Sequence, residues 1–133
     1  MLPITSYMQP KMRQSPRKKI LPLEVDRISF VRDQSTLCHQ AHLVEVSDRG
    51  LKILFERRFV SEKQRNQLNW KTLENELVFI HLTLMDLLIQ GRITRVKYLK
   101  NGRFELGIDY SDSDPDYWRA CLFELLPDHK SSQ

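Results

Sequence analysis

The chain has 133 residues, of which 41% are hydrophobic and 29% are charged, and its formal net charge is +4. This balance predicts one folded domain and excludes an intrinsically disordered chain, which would contain fewer apolar residues. A membrane-spanning helix is not expected, because the most apolar stretch, 77–89, is interrupted by His81 and Asp86. The N-terminus lacks the pattern of a secretory signal, and two cysteines are too few for a disulfide framework, so we expect a cytoplasmic protein with free thiols.

The first predicted elements are β-strands. The segment "ILPLEVDRISF", 20–30, predicts a strand that begins just after a basic block. A strand, a turn and a second strand follow from residue 44, with Val44 and Val46 facing one way and Glu45 and Ser47 the other. The polar connection at 56–75 has no period-two pattern, and it predicts a long loop with a short helix near 61–69.

Strands are predicted again in the second half of the chain, at 77–84 and 87–99, and residues 92–110 form a predicted hairpin. Asn101-Gly102 is typical of a two-residue hairpin turn, because both residues tolerate positive φ. The last strand alternates apolar and polar residues, and its apolar face consists of Phe104, Leu106, Ile108 and Tyr110.

The C-terminal segment predicts an α-helix. Asp114 suits the N-cap, Pro115 the first helical position, and Pro127 ends the element. Asp112, Asp114 and Asp116 also open like an EF-hand loop, but Tyr117 stands where that loop needs glycine, so helix capping is the better interpretation.

Two further patterns could indicate a metal or catalytic site, and each has a simpler interpretation. Cys38 and His42 would share a strand face as half of a metal site, but no second pair at ligand spacing accompanies them. His81, in an apolar strand, is predicted to be a core histidine with satisfied hydrogen bonds. The chain contains no phosphate-loop, dinucleotide or nucleophile-elbow motif, so we expect neither enzymatic activity nor a cofactor.

Basic residues are concentrated in two acid-free blocks, and acidic residues predominate after residue 105. The blocks comprise Lys11, Arg13, Arg17, Lys18 and Lys19 in the first, and Arg92, Arg95, Lys97, Lys100 and Arg103 in the second. Two basic segments that met in space would form an anion site, although solvated faces are the commoner role of such runs.

Two short motifs lie in order along the chain. The first is Arg13-Gln14-Ser15-Pro16-Arg17, and the second is Glu45-Val46-Ser47-Asp48-Arg49-Gly50. Together with the strand pattern and the closing helix, they make the chain resemble the PilZ domain, a bacterial receptor for cyclic di-GMP. The family's motifs are R-x3-R and [D/N]-x-S-x-x-G, so Glu45 departs from the pattern by one methylene while keeping the carboxylate.

The resemblance implies a six-stranded antiparallel β-barrel with a C-terminal α-helix. It implies a flexible arm at 1–12, the domain at 13–128 and a tail at 129–133. The ligand would be cyclic di-GMP, bound by Arg13, Arg17, Glu45, Ser47, Gly50, Lys18 and Arg49. The arm would become ordered when the ligand binds.

The resemblance further implies a single-domain signalling adaptor that relays the second messenger to a protein partner in motility, secretion or biofilm control. Two alternatives remain open. A degenerate PilZ-like module would bind a protein but no dinucleotide, and the Glu45 substitution favours it. A basic barrel that binds nucleic acid is less expected, because no exposed aromatic residue is evident beside the basic blocks.

Overall fold

The structure, a computed structural model, describes residues 17–67, 69–111 and 126. Arg13, the proposed arm and the predicted C-terminal helix lie outside the described residues. The described chain is mostly β, with seven strands in one antiparallel sheet. The strands are β1 (Lys18–Phe30), β2 (Thr36–Cys38), β3 (Ala41–Val46), β4 (Gly50–Glu56), β5 (Leu77–Leu82), β6 (Leu87–Tyr98) and β7 (Arg103–Tyr110).

The helical elements are short and lie together between β4 and β5. They are a 3-10 turn at Arg57–Phe59, the helix α1 at Glu62–Gln67 and a second 3-10 turn at Trp70–Leu73. The predicted short helix near 61–69 is therefore confirmed. Within the described ranges no helix is long and apolar enough to cross a membrane.

Six strands close into a barrel, which confirms the predicted six-stranded antiparallel barrel, and β2 is an additional strand at the edge of β1. The sheet order is β2-β1-β3-β4-β7-β6-β5, and pairing of β1 with β5 closes the ring. The 13-residue β1 makes closure possible because its first half pairs with β3 and its second half with β5. Val25 lies at the junction, where it is opposite both Ala41 and Leu82.

The apolar side chains of the alternating strands fill the barrel interior. In β7 the alternation is as predicted, with Phe104, Leu106, Ile108 and Tyr110 all buried. Ile53 and Leu43 meet them from β4 and β3 and are completely buried. Burial of an aliphatic side chain of this size contributes about 1.5–3 kcal/mol. The residues between the core positions consequently face the outside of the barrel.

The hairpin between β6 and β7 differs from the predicted two-residue turn. Asn101 and Gly102 have φ values of 64° and 71°, as their sequence indicated. However, Tyr98 pairs with Phe104, and the Leu99 N–H donates to the Arg103 carbonyl at 2.7 Å. The loop therefore contains three residues, with Lys100 preceding the Asn-Gly pair.

Three other expectations are wrong. Cys38 and His42 do not share a strand face, because Cys38 ends β2 and is buried whereas His42 belongs to β3 and is exposed. His81 is half-buried at the surface, not in the core. Val44 and Val46 were expected to face the same side of the strand, but they do not, because Val44 is an extra residue in β3.

Candidate ligand-binding site

One candidate site is a cavity of about 390 Å³ on the outer face of the barrel. It lies across four adjacent strands, β3, β4, β7 and β6. A straight row of outward positions crosses these strands: Glu45 is opposite Lys52, Lys52 is opposite Gly107, and Gly107 is opposite Arg95. Because Gly107 has no side chain, it leaves a hollow between Lys52 and Arg95.

Two shifts of strand register border this row. In β3, Leu43 pairs with Ile53 and Glu45 with Lys52, so Val44 is an extra residue. In β6, Ile93 pairs with Ile108 and Arg95 with Gly107, so Thr94 is extra. Bulges of this kind turn the following side chain toward a new direction and are frequent beside functional sites. Here they precede the two charged residues at either end of the row.

The charges in and beside the cavity alternate in sign. Arg17 Nη1 lies 3.9 Å from a Glu45 oxygen, and Lys52 Nζ lies 3.6 Å from the other Glu45 oxygen. Lys52 Nζ is also 3.9 Å from Glu105 Oε2, which Arg95 Nη2 contacts at 3.3 Å. We call these five residues the charge network. Glu45 is its most buried member, with 10% of its side chain exposed, whereas Arg17 is 66% exposed.

The second sequence motif forms a compact turn beside the network. The Ser47 hydroxyl oxygen accepts from the backbone N–H groups of Arg49 and Gly50, both at 3.1 Å. The Ser47 N–H in turn donates to the Gly50 carbonyl at 2.9 Å. Ser47 therefore fixes the turn that carries the exposed Arg49 side chain to the cavity, because a serine hydroxyl commonly bonds backbone groups two or three residues on.

Gly50 is required by packing of the barrel itself. A Cβ atom at this position would lie 2.1 Å from the Ile108 carbonyl oxygen on β7, far inside contact distance. Its φ is not in the left-handed region, so backbone conformation does not select glycine here. The structure therefore gives Gly50 a packing role, the close approach between β4 and β7, and its expected role in ligand binding stays a prediction.

The structure brings together most of the residues that the motifs indicated. Arg17, Glu45, Ser47, Arg49 and Gly50 all line the cavity. Lys18, which begins β1, does not line it, and Arg13 lies outside the described residues.

Several site residues were missed from sequence. They are Lys52, Thr94, Arg95, Gly107 and Asp109. Arg95 belongs to the second basic block and lines the same cavity as Arg17 of the first block. No local signal identified Lys52 or Gly107, because each reads as an ordinary outward position of a strand, and only the pairing of β3, β4 and β7 places them in one row.

Two other polar features lie away from the cavity. His81 Nδ1 is 2.7 Å from Asp26 Oδ1, and its Nε2 is 2.6 Å from Asp86 Oδ1. Hydrogen bonds to Asp86 and then to Asp26 raise the pKa of His81 above 6.5. Burial raises the pKa of the Cys38 thiol to about 12, so this thiol is unreactive in the folded protein.

No cluster of three or more metal-ligating side chains occurs in the part of the chain that the structure describes. Comparison with known proteins adds no family: no protein-family model matches the chain, and no curated protein matches it. The chemistry of the cavity must therefore be argued from its own residues. Four cations, Arg17, Arg49, Lys52 and Arg95, and two carboxylates, Glu45 and Asp109, line it. Such a site suits an anion that also carries hydrogen-bond donors.

Proposed function

We propose that the chain is a cytoplasmic receptor for cyclic di-GMP with a PilZ-type barrel, which relays the second messenger to a protein partner. One observation carries the proposal. The cavity is lined by the described members of both motifs, with Arg17 from the first and Glu45, Ser47, Arg49 and Gly50 from the second. Some thirty residues separate these motifs in sequence, so their occurrence around one hollow is more specific than either motif alone.

The cations suit the two phosphates and two guanines of the dinucleotide. A guanidinium can donate a bidentate pair to guanine O6 and N7, clamp a phosphate, or stack on the purine face. Arg17 and Arg49 are exposed enough to reorient toward such a ligand. The resemblance assigns the same role to Arg13, which lies four residues before Arg17.

Glu45 supports recognition of the guanine edge. Its carboxylate can accept from guanine N1–H and N2–H2, which no adenine offers in that arrangement. The extra methylene relative to aspartate does not leave the carboxylate loose, because contacts with Arg17 and Lys52 hold it from two sides. Only 8% of Glu45 is exposed, so a donor left unpaired against it would be costly.

Binding would require the network to exchange partners. Without ligand, the two carboxylates of Glu45 and Glu105 neutralise part of the charge of Arg17, Lys52 and Arg95. A ligand with two negative charges could take over part of this neutralisation, and the cations would then turn from the carboxylates to its phosphates. This exchange favours an anionic ligand over a neutral one and makes the affinity dependent on salt.

The test is calorimetric titration with cyclic di-GMP, with GTP and single-stranded DNA as controls. We expect binding of cyclic di-GMP in preference to both controls. Arg17→Ala should weaken it by about 1–3 kcal/mol if a bidentate guanine contact is lost. Arg27→Ala is the matched control, because Arg27 is an exposed arginine of β1 that does not line the cavity.

A second variant blocks the hollow without disturbing the fold. The nearest atom to a Cβ at Gly107 is the Arg95 Cβ at 3.5 Å, which is an ordinary contact, so Gly107→Val should fold and fill the cavity. We expect this variant to unfold at a temperature close to that of the wild type but to bind no cyclic di-GMP. Tight binding by folded Gly107→Val would place the ligand elsewhere and refute the proposed site.

A degenerate module predicts a different set of results. Neither the wild type nor Glu45→Ala would bind, and Glu45→Asp, which restores the family's residue, would be the only variant to gain affinity. A functional receptor predicts instead that Glu45→Asp binds at least as tightly as the wild type, and that Glu45→Ala loses about 1–3 kcal/mol.

A further inference from the structure

A second surface of the barrel combines aromatic and basic side chains. A cavity of about 360 Å³ lies near the hairpin loop, where β6 ends and β7 begins. It is lined by Trp70, Val96, Tyr98 and Phe104 together with Arg57, Lys71 and Glu74. A neighbouring cavity of about 350 Å³ is lined by Arg57, Arg58 and Arg65. Arg57 lines both, so the two hollows form one continuous surface, which we call the aromatic-basic surface.

The aromatic rings run from the core to the solvent. Phe55 and Phe104 are buried and stack with centroids 5.4 Å apart, and Trp70 stacks on Phe104 at 4.1 Å. Tyr98 packs edge-on against Phe104 at 5.3 Å, yet 64% of it is exposed. An exposed aromatic residue therefore does lie within the second basic block, between Lys97 and Lys100, and the expectation from sequence that none would be found there is wrong. The Tyr98 hydroxyl accepts from the Gly102 N–H at 3.3 Å, which ties the exposed ring to the hairpin turn.

The charges around these rings are mostly positive, and three of the four cations have no ion-pair partner among the residues that the structure describes. Four basic side chains line the two hollows, against the carboxylates of Glu56 and Glu74. Glu56 is engaged by Arg58, at 3.0 Å. Arg57, Arg65 and Lys71 form no ion pair with any residue that the structure describes. The surface therefore has free cations beside an exposed ring and complements a ligand that is both anionic and aromatic.

We propose that the aromatic-basic surface binds single-stranded nucleic acid. A base would stack against Tyr98 and Trp70, and the adjoining phosphates would lie against Arg57 and Arg65. This combination of stacking rings with a positively charged track is how sequence-tolerant single-strand binding is generally achieved. The surface shares no lining residue with the cyclic di-GMP cavity, so the two sites are independent.

The test uses fluorescence anisotropy with labelled oligo(dT) and oligo(rU) of about 15 nucleotides, in about 50 mM salt. Tyr98→Ala should weaken binding by about fivefold or more, the usual effect of losing one stacking ring. Tyr98→Phe should bind as the wild type does, because it keeps the ring. Tyr98→Leu keeps apolar area without the ring and should bind as weakly as Tyr98→Ala.

Arg57→Ala should weaken binding and reduce the magnitude of the slope of log affinity against log salt by about one, which corresponds to the loss of one phosphate contact. Lys63→Ala is the matched control, because Lys63 is an exposed cation of α1 that lines neither hollow. Thermal unfolding confirms that each variant is folded. An excess of cyclic di-GMP should not displace the oligonucleotide.

Three results would each overturn the proposal. The first is no binding of either oligonucleotide at low salt. The second is equal binding by Tyr98→Leu, Tyr98→Ala and the wild type, which would leave only general attraction to a basic surface. The third is competition by poly-glutamate as effective as that by unlabelled oligo(dT), which would identify the surface as a site for acidic polypeptide.

Discussion

The Glu45–Lys52 pair in the centre of the charge network offers a quantitative test of how the site is organised. The variants are Glu45→Gln and Lys52→Met, alone and combined, since both keep most of the side-chain volume. At 3.6 Å the two charges attract by about 4–5 kcal/mol with an effective dielectric constant of about 20. Desolvation of the two partly buried groups offsets most of this attraction.

The second partners of each residue reduce the effect further. Without Lys52, Glu45 still has Arg17 at 3.9 Å, and without Glu45, Lys52 still has Glu105 at 3.9 Å. We therefore expect a coupling energy of about 1–2 kcal/mol from the double-mutant cycle, above the range of exposed pairs. Urea unfolding of the four proteins gives this coupling directly.

The matched control is the Glu56–Arg58 pair. Its atoms are closer, at 3.0 Å, but its side chains are 44% and 71% exposed, and we expect a coupling below about 0.5 kcal/mol. At about 1 M salt the Glu45–Lys52 coupling should largely persist, because partly buried pairs are screened less. A coupling for Glu45–Lys52 no larger than that for Glu56–Arg58 would refute the claim that burial makes this network strong.

Three further predictions concern the barrel. Gly50→Ala should destabilise the fold by about 1–3 kcal/mol, measured by urea unfolding, because its Cβ would overlap a carbonyl oxygen of β7. Because the pKa of His81 is raised in the folded chain, protonation of His81 stabilises the fold. This contribution to the free energy of unfolding is complete below pH 6.5 and is lost as the pH rises through the raised pKa. An NMR titration should give a lower pKa for His81 in the Asp86→Asn variant than in the wild type. In a Cys121→Ser variant, Cys38 should react with a thiol reagent only after unfolding, because it is completely buried.

The barrel was predictable because its strands carry strong local signals. In β7 the four buried residues alternate without interruption, and Asn101-Gly102 takes the positive φ values that its sequence indicated. The errors occurred where the register of strand pairing changes the outcome. The bulge at Val44 shifts the face of β3, and it follows from the register with β4, which no local pattern of the sequence specifies.

The candidate site was predictable in the same limited way. The two motifs identified one side of the cavity, but Lys52, Arg95 and Gly107 come from the other side, where they are brought together only by pairing of β4, β7 and β6. His81 was misassigned because the apolar residues around it in sequence suggested a core position, although Asp86 lies only five residues away. Its other partner, Asp26, is 55 residues away in the chain and is brought to it by the pairing of β1 with β5.

Ser47, Gly50 and Gly107 differ in whether the fold itself requires them. Ser47 caps its own turn and Gly50 admits β7, so both residues of the S-x-x-G motif are needed by the fold and would be retained by a barrel without a ligand. Gly107 is different. A side chain there would meet ordinary contacts, and its φ is not left-handed, so neither packing nor backbone conformation selects glycine.

Glycine in the interior of a strand reduces stability, and it frequently marks a place where a ligand approaches the backbone. The hollow over Gly107 lies between the cations of Lys52 and Arg95. The proposed anion site would give this glycine a role that packing and backbone conformation do not, and this role would be expected of a functional receptor and not of a degenerate module. The distinction is measurable. In a degenerate barrel neither the wild type nor Gly107→Val would bind cyclic di-GMP, whereas in a receptor Gly107→Val should unfold at a temperature close to that of the wild type and lose the binding that the wild type shows.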